Sequence, residues 1–125
     1  PITDLNRCGR DLHRYVTTLE NTLIETCARF GVQARIREGL VGVWVENRKI
    51  ASIGVGVKKW IAMHGFALNV STDLEWFGLI NPCGFVDRGV TSIERETGRT
   101  VPMDEVKKSI VTVLSEKLDV KIYNK

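Results

Sequence analysis

Leu40-Val41-Gly42-Val43-Trp44-Val45, Glu46-Asn47-Arg48 and Lys49-Ile50-Ala51-Ser52-Ile53-Gly54-Val55-Gly56-Val57 follow one another without interruption. Two runs rich in β-branched residues stand on either side of a short polar break, and that pattern predicts a β-hairpin. Trp44 is the largest apolar body of the first run. Gly54 and Gly56 inside the second run cost stability, and a strand glycine usually marks a bulge or the close approach of another backbone or a ligand. Working outward, residues 32–36 read as a strand before the hairpin, with Arg37-Glu38-Gly39 as the turn between. Lys58-Lys59 reads as a solvated turn, and residues 60–70 as a further strand containing His64-Gly65.

Helices flank this block. From Gly9 the apolar residues Leu12, Tyr15, Val16, Leu19, Leu23, Ile24, Cys27 and Phe30 recur at steps of three and four, which draws one apolar face along a helix. Asp11, Arg14, Glu20 and Glu25 fall mostly off that face, His13 and Arg14 belong in solvent, and Gly31 suits the position just past the helix end. Cys27 lies on the apolar face and reads as core filler. Residues 73–79 suggest a short helix with Thr72 or Asp73 as cap. Residues 89–93 read as a short strand or turn, and residues 94–99 as polar and irregular. Pro102 opens a second long helix in its first turn, where its missing N–H does no harm. Val106, Ile110, Val113, Leu114 and Leu118 form that helix's stripe, and residues 120–123 read as a closing strand or tail. The expectation is an α+β fold, a largely antiparallel sheet covered by helices.

The bulk numbers set limits. With 125 residues, 43% hydrophobic and 26% charged, the chain makes one ordinary globular domain. A net charge of +3, spread rather than blocked, gives no argument for nucleic acid and suits an acidic protein partner equally well. No apolar run approaches the ~20 residues that span a bilayer, and no signal peptide is visible. Cys8, Cys27 and Cys83 form no CxxC or Cys/His spacing. A disulfide framework or metal site is therefore not expected, and a reducing compartment is. A chain that begins at Pro1 rather than Met is either processed or a piece of something longer.

Chemistry concentrates between Lys49 and Gly84: a lysine in a strand, the His64-Gly65 strand, then Asn81-Pro82-Cys83-Gly84. A thiol attacks a carbonyl only as its thiolate, and a free cysteine ionises at about pH 8.5. A nearby ammonium stabilises the thiolate; alternatively, a neutral lysine removes the thiol proton, which requires burial or adjacent charge to weaken its hold on its own proton. Lys49 sits in a strand, where a side chain can point inward, whereas Lys58 and Lys59 lie in a turn. Pro82 and Gly84 would fix the cysteine loop and leave backbone N–H groups free to face an acyl oxygen. The plainer readings are an edge lysine in solvent, a buried cysteine acting as a small hydrophobe, and a structural His64.

The segments Gly9-Arg10-Asp11, residues 39–45, Arg48-Lys49-Ile50-Ala51-Ser52-Ile53-Gly54, Met63-His64-Gly65-Phe66-Ala67-Leu68-Asn69-Val70, Pro82-Cys83-Gly84 and Gly89-Val90-Thr91-Ser92 together carry a family resemblance. In order and spacing they are similar to lipoyl (octanoyl) transferases, the octanoyl-[acyl-carrier-protein]:protein N-octanoyltransferases. The resemblance implies the α/β scaffold of biotin and lipoate protein ligases, with residues 1–125 as a single catalytic domain, the C-terminal portion of an octanoyltransferase. It implies that Cys83 is the acyl-thioester nucleophile and that Lys49 lowers its pKa or acts as its base. It makes Ser52, Ile53 and Gly54 one substrate-binding segment and Gly65, Phe66 and Ala67 another, with His64 a further candidate. Octanoyl would pass from the phosphopantetheine thiol of acyl carrier protein to Cys83. It would then go to a lysine of the lipoyl domains of 2-oxoacid dehydrogenases or of the glycine-cleavage H protein. Neither metal nor other cofactor is implied, and the setting would be the bacterial cytoplasm or an organelle matrix.

The family also carries an upstream Arg-Gly-Gly stretch followed by Thr-x-His-Gly-Pro-Gly, which lines the acyl site and is absent from this sequence. The expectation is therefore an open acyl groove, with apolar residues near Phe66 and Leu68 exposed. Two other readings stand beside this one. An ATP-dependent lipoate- or biotin-protein-ligase-like enzyme would need no cysteine nucleophile. A non-catalytic fragment would only bind an acyl chain or carrier protein.

Overall fold

The computed structural model describes residues 1–71 and 89–120. The expected helix at residues 73–79, the cysteine loop with Cys83 and the last five residues lie outside them.

Among the described residues, helix α1 (Leu12–Arg29) begins where Asp11 leaves the helical region and its carboxylate accepts the Arg14 N–H. It ends at Phe30, and Gly31 follows at φ +84°, the left-handed conformation that glycine adopts at least cost. Tyr15, Leu19, Leu23 and Cys27 are buried along one face, as their spacing predicts. Thr22 and Thr26 are buried beside them, and each hydroxyl donates to the carbonyl four residues earlier. Cys27 is fully buried, and burial pushes its thiol up to about 12, so it is inert at neutral pH.

The strands are β1 (Thr3–Asp4), β2 (Arg35–Arg37), β3 (Leu40–Val45), β4 (Arg48–Lys58) and β5 (Ile61–Leu68). They form one five-stranded sheet in the order β1-β5-β4-β3-β2, with each neighbouring pair antiparallel. The predicted hairpin is β3–β4, and a second hairpin, β4–β5, continues the meander. Two expectations after residue 88 need correction. Residues 94–99, read as irregular, belong largely to helix α2 (Ile93–Thr97), capped by the Ser92 hydroxyl and closed by Gly98 at φ +69°. Pro102 is the cap of α3 (Met103–Leu118) rather than its first helical residue.

Helices α1 and α3 pack on each other and on the same face of the sheet. One cluster joins Leu23, Cys27 and Val106 to Val43, Ile50, Ala51, Val70 and Ile93. Another joins Tyr15, Leu19 and Leu114 to Leu5 and Ala62. Side chains alternate across a strand, so the partners of these residues turn to the other face. There Ser52 pairs with Ala67, Gly54 with Gly65 and Gly56 with Met63. Ser52, Gly54, Met63 and Ala67 are exposed. Phe66 and Leu68 point to the helix side and are half-buried against the core, while Met63 on the same strand is 38% exposed. No helix among the described residues is long and apolar enough to cross a membrane.

Candidate active site

A register irregularity decides where Lys49 points. Val43 pairs with Ala51, but Trp44 pairs with Lys49 and Val45 with Arg48, so β4 carries one extra residue between them. Lys49 and Ser52 are three residues apart and would fall on opposite faces of a regular strand. With the extra residue, Ile50 enters the core while Lys49 and Ser52 both turn to the outer face. The bulge that the glycines at 54 and 56 suggested therefore sits upstream of them. No heavy atom outside its own neighbours comes within 4 Å of a Cβ built on Gly54, so that glycine leaves open floor.

The Lys49 side chain reaches from β4 across β3. A Cβ on Gly42 would stand 2.7 Å from Lys49 Cε and 2.8 Å from the Ala51 carbonyl oxygen. Gly42 also has φ +129°, which side-chain-bearing residues rarely adopt. The Lys49 amine lies 5.4 Å from the centroid of the Trp44 ring, and the Arg37 guanidinium lies 5.4 Å from the same centroid. Glu20 of α1, expected off the apolar face, is instead buried at 6% exposure, and its carboxylate accepts the Gly42 N–H at 3.1 Å. No sequence spacing could have revealed this, because the partner is a backbone group on a strand distant in sequence.

Lys49 is also fixed through its backbone. Its N–H donates to the Gly89 carbonyl, and its carbonyl accepts the Thr91 N–H, in a parallel bridge. Beside it, Arg48 makes a two-pronged contact with Glu96 of α2, at 3.0 and 3.1 Å, and Thr91 donates to the same carboxylate. Burial works to raise the Glu96 carboxyl, but the hydrogen bonds from Arg48 and Thr91 outweigh it and hold it below its ordinary value. A carboxylate that binds its proton less tightly in the folded chain stabilises the fold above its unfolded value and loses that contribution as the pH falls through its folded value. Glu96→Gln is therefore expected to lower stability at pH 7 by about 1–2 kcal/mol, less than a fully buried charged pair because Arg48 is partly exposed. The gap should shrink below about pH 4. Urea unfolding at both pH values checks this; an equal gap at both would show that charge is not its source.

The other expected site residues divide by face. Ser52, Gly54 and Ala67 share the outer face with Lys49, and Gly65 joins them, covered by the Pro1 ring, which a Cβ would meet at 2.6 Å. Ile53 and Phe66, paired across the hairpin, point into the helix-side core and support this floor from behind. His64 is exposed at φ +67° and pairs with Val55, which lies six residues, about 20 Å, along the strand from Lys49. The structure thus separates His64 from the lysine. Cys83 lies outside the described residues.

An antiparallel sheet with two helices packed on one face is a fold shared with solved biotin and lipoate protein ligases. The fold superposes on biotin protein ligase from Aquifex aeolicus in complex with biotin and ATP with TM-score 0.75, at 17% identity, over 94% of this chain and 47% of that one. It superposes on lipoate-protein ligase A bound with ATP with TM-score 0.74, at 18% identity, over 92% of this chain and 49% of that one. The family model of the lipoyl protein ligase A/B catalytic domain matches residues 1–115, and the chain belongs to that family. It is 52% identical over 110 residues to the octanoyltransferase of Geobacter metallireducens, an alignment covering 88% of this chain and 52% of the relative. The chain thus spans about half the length of the curated relatives it matches.

Proposed function

We propose that this chain carries the acyl-thioester machinery of an octanoyltransferase. Cys83 acts as nucleophile, Lys49 as the group that ionises it, and the outer sheet face as floor for the acyl chain. The Cys83 thiolate attacks the carbonyl carbon of an octanoyl thioester on acyl carrier protein; the new C–S bond forms as the bond to the pantetheine sulfur breaks, and that sulfur leaves as a thiolate that takes a proton from solvent. In the second step the ε-amine of a lysine on a lipoyl domain attacks the same carbon. The amide bond forms, the Cys83 sulfur departs, and the amine's proton is released. Because the donor is already a thioester, neither a nucleotide nor a metal has a task in this scheme, which would operate in the cytoplasm.

The observation that carries the reading is the half-buried Lys49 on the outer sheet face, its amine beside the Trp44 ring and turned there by the extra β4 residue. Two further facts support it. The Gly89 carbonyl is bonded to the Lys49 N–H, and Cys83 precedes Gly89 by six residues, which bounds the distance between their Cα atoms at about 22 Å without setting it. Ser52, Gly54 and Ala67 offer little side chain, so an apolar tail can lie against backbone, and each buried CH₂ contributes ~0.8 kcal/mol.

The test is the intact mass of the chain after incubation with octanoyl-carrier protein. One octanoyl group is expected, mapped to Cys83, released by hydroxylamine and missing in Cys83→Ser. Acylation at Cys8 instead, or labelling only when free octanoate and ATP are supplied, would overturn the reading in favour of an adventitious thiol or a ligase.

A further inference from the structure

We propose that Trp44 is a positioning residue, whose ring, together with the bare backbone of Gly42, holds the Lys49 amine on the outer face of the sheet. The inference rests on the reading of Lys49 as the group that ionises the thiol, and adds the parts that aim it.

A lysine side chain has four rotatable bonds and sweeps a wide volume unless something confines it. Three constraints act here. The extra β4 residue sets the outward direction of Lys49. The empty position over Gly42 gives its aliphatic stem a channel across β3, since a methyl group there would meet Cε at 2.7 Å. The buried ring of Trp44, 2% exposed, then attracts the cationic end at 5.4 Å from its centroid. Among the described residues no carboxylate pairs with Lys49, so the ring is the group there that attracts its charge. An aromatic face suits this task better than a carboxylate would. It holds a cation without neutralising it, leaving the charge available to a thiolate.

Trp44 itself is held on the outer side of the sheet because its neighbours Val43 and Val45 both enter the helix-side core. Gly42 is held by Glu20, whose buried carboxylate accepts its N–H. The Arg37 guanidinium shares the ring but is engaged with the Asn47 side-chain oxygen at 3.1 Å, which keeps it at the β2 edge of the sheet.

The experiment combines proton NMR of Lys49 with peptide-resolved alkylation of Cys83 by iodoacetamide at pH 7. In the unaltered chain the Lys49 ε-CH₂ protons are expected upfield of their ordinary position through the ring current of Trp44. Ordinary shifts there would overturn the geometry. Trp44→Leu is expected to abolish the shift and slow Cys83 alkylation about tenfold. Trp44→Phe should slow it about threefold, since phenylalanine is the weaker partner for a cation. Lys49→Met should slow it at least as much as Trp44→Leu, and the double variant no further than Lys49→Met alone.

The buried Cys27 is the internal control. A positioning loss leaves its slow labelling unchanged, whereas a loosened fold speeds it. If leucine loosens the fold, Trp44→Phe carries the decision, and a phenylalanine variant that labels Cys83 as fast as the unaltered chain overturns the proposal. If Lys49→Met slows Cys83 and neither Trp44 variant does, the positioning role falls and the reading of Lys49 stands. If Lys49→Met leaves Cys83 unchanged, that reading falls and takes this one with it.

Discussion

Lys49→Met is expected to slow acylation of Cys83 by octanoyl-carrier protein about 30-fold at pH 7, and to do so less and less as the pH rises. The size follows from the population of thiolate. An ordinary thiol ionises near pH 8.5, so at pH 7 only ~3% of it is nucleophilic. A neighbouring ammonium that shifts the equilibrium fully can therefore raise the rate by no more than about 30-fold through ionisation alone. Raising the pH supplies the thiolate without help, and the variant should approach the unaltered chain near pH 9.5. The pH dependence separates two roles that the residues alone leave open. If the variant converges with the unaltered chain, Lys49 acts by stabilising the thiolate. If a large deficit persists at pH 9.5, Lys49 also handles the proton of the departing thiol. Equal rates at pH 7 would remove Lys49 from the site. Methionine is the right substitution because it keeps an unbranched stem in the space over Gly42, where a Cβ would meet the present side chain at 2.7 Å.

The parts of the fold that the sequence discloses are those governed by local periodicity. The face of α1 is legible because Tyr15, Leu19, Leu23 and Cys27 recur at helical steps and all are buried. The β3–β4 hairpin is legible because two β-branched runs meet at a polar turn. What periodicity does not carry is an extra residue in one strand. The β4 bulge exists because Lys49 pairs with Trp44 on one side and bonds to Gly89 and Thr91 on the other, and none of those partners adjoins it in sequence. For the same reason a residue-by-residue reading of the Ser52–Gly54 and Gly65–Ala67 segments does not reveal that Ile53 and Phe66 face the core. Strand alternation does reveal it once the pairing register is known. Glu20 escapes because its partner is a backbone N–H, which has no sequence signature. Helix α2 is a different case. Ser92 caps it and Gly98 ends it, but a five-residue helix rich in charge shows too little apolar pattern between them.

The second large effect concerns the outer face of the sheet. The helices cover one face, while the other presents Ser52, Gly54, Ala67 and a Met63 that is 38% exposed. Gly42, Trp44 and Gly65 on the same face are buried, and the chain spans about half the length of its curated relatives. On the proposed reading, acylation of Cys83 draws first on an ionised thiol, whereas transfer to a second protein depends more on the acyl carbonyl being held within near-attack distance of an incoming amine. Positioning of that kind can account for about 7–11 kcal/mol of a barrier, and a misplacement of about 1 Å can cost ~100-fold. A floor of small side chains, as at Ser52, Gly54 and Ala67, makes few contacts that fix an acyl chain. Residues 1–125 alone are therefore expected to take octanoyl onto Cys83 yet deliver it to a lipoyl domain at least ~100-fold more slowly than the same residues joined to the upstream half of an octanoyltransferase relative. The measurement is single-turnover transfer from the preformed octanoyl thioester, with the upstream half supplied first in the same chain and then as a separate piece. A rise in the transfer rate that leaves the rate of Cys83 acylation nearly unchanged assigns the upstream half to positioning. Equal transfer rates with and without it would mean that the acyl group is held elsewhere than on the outer face beside Lys49.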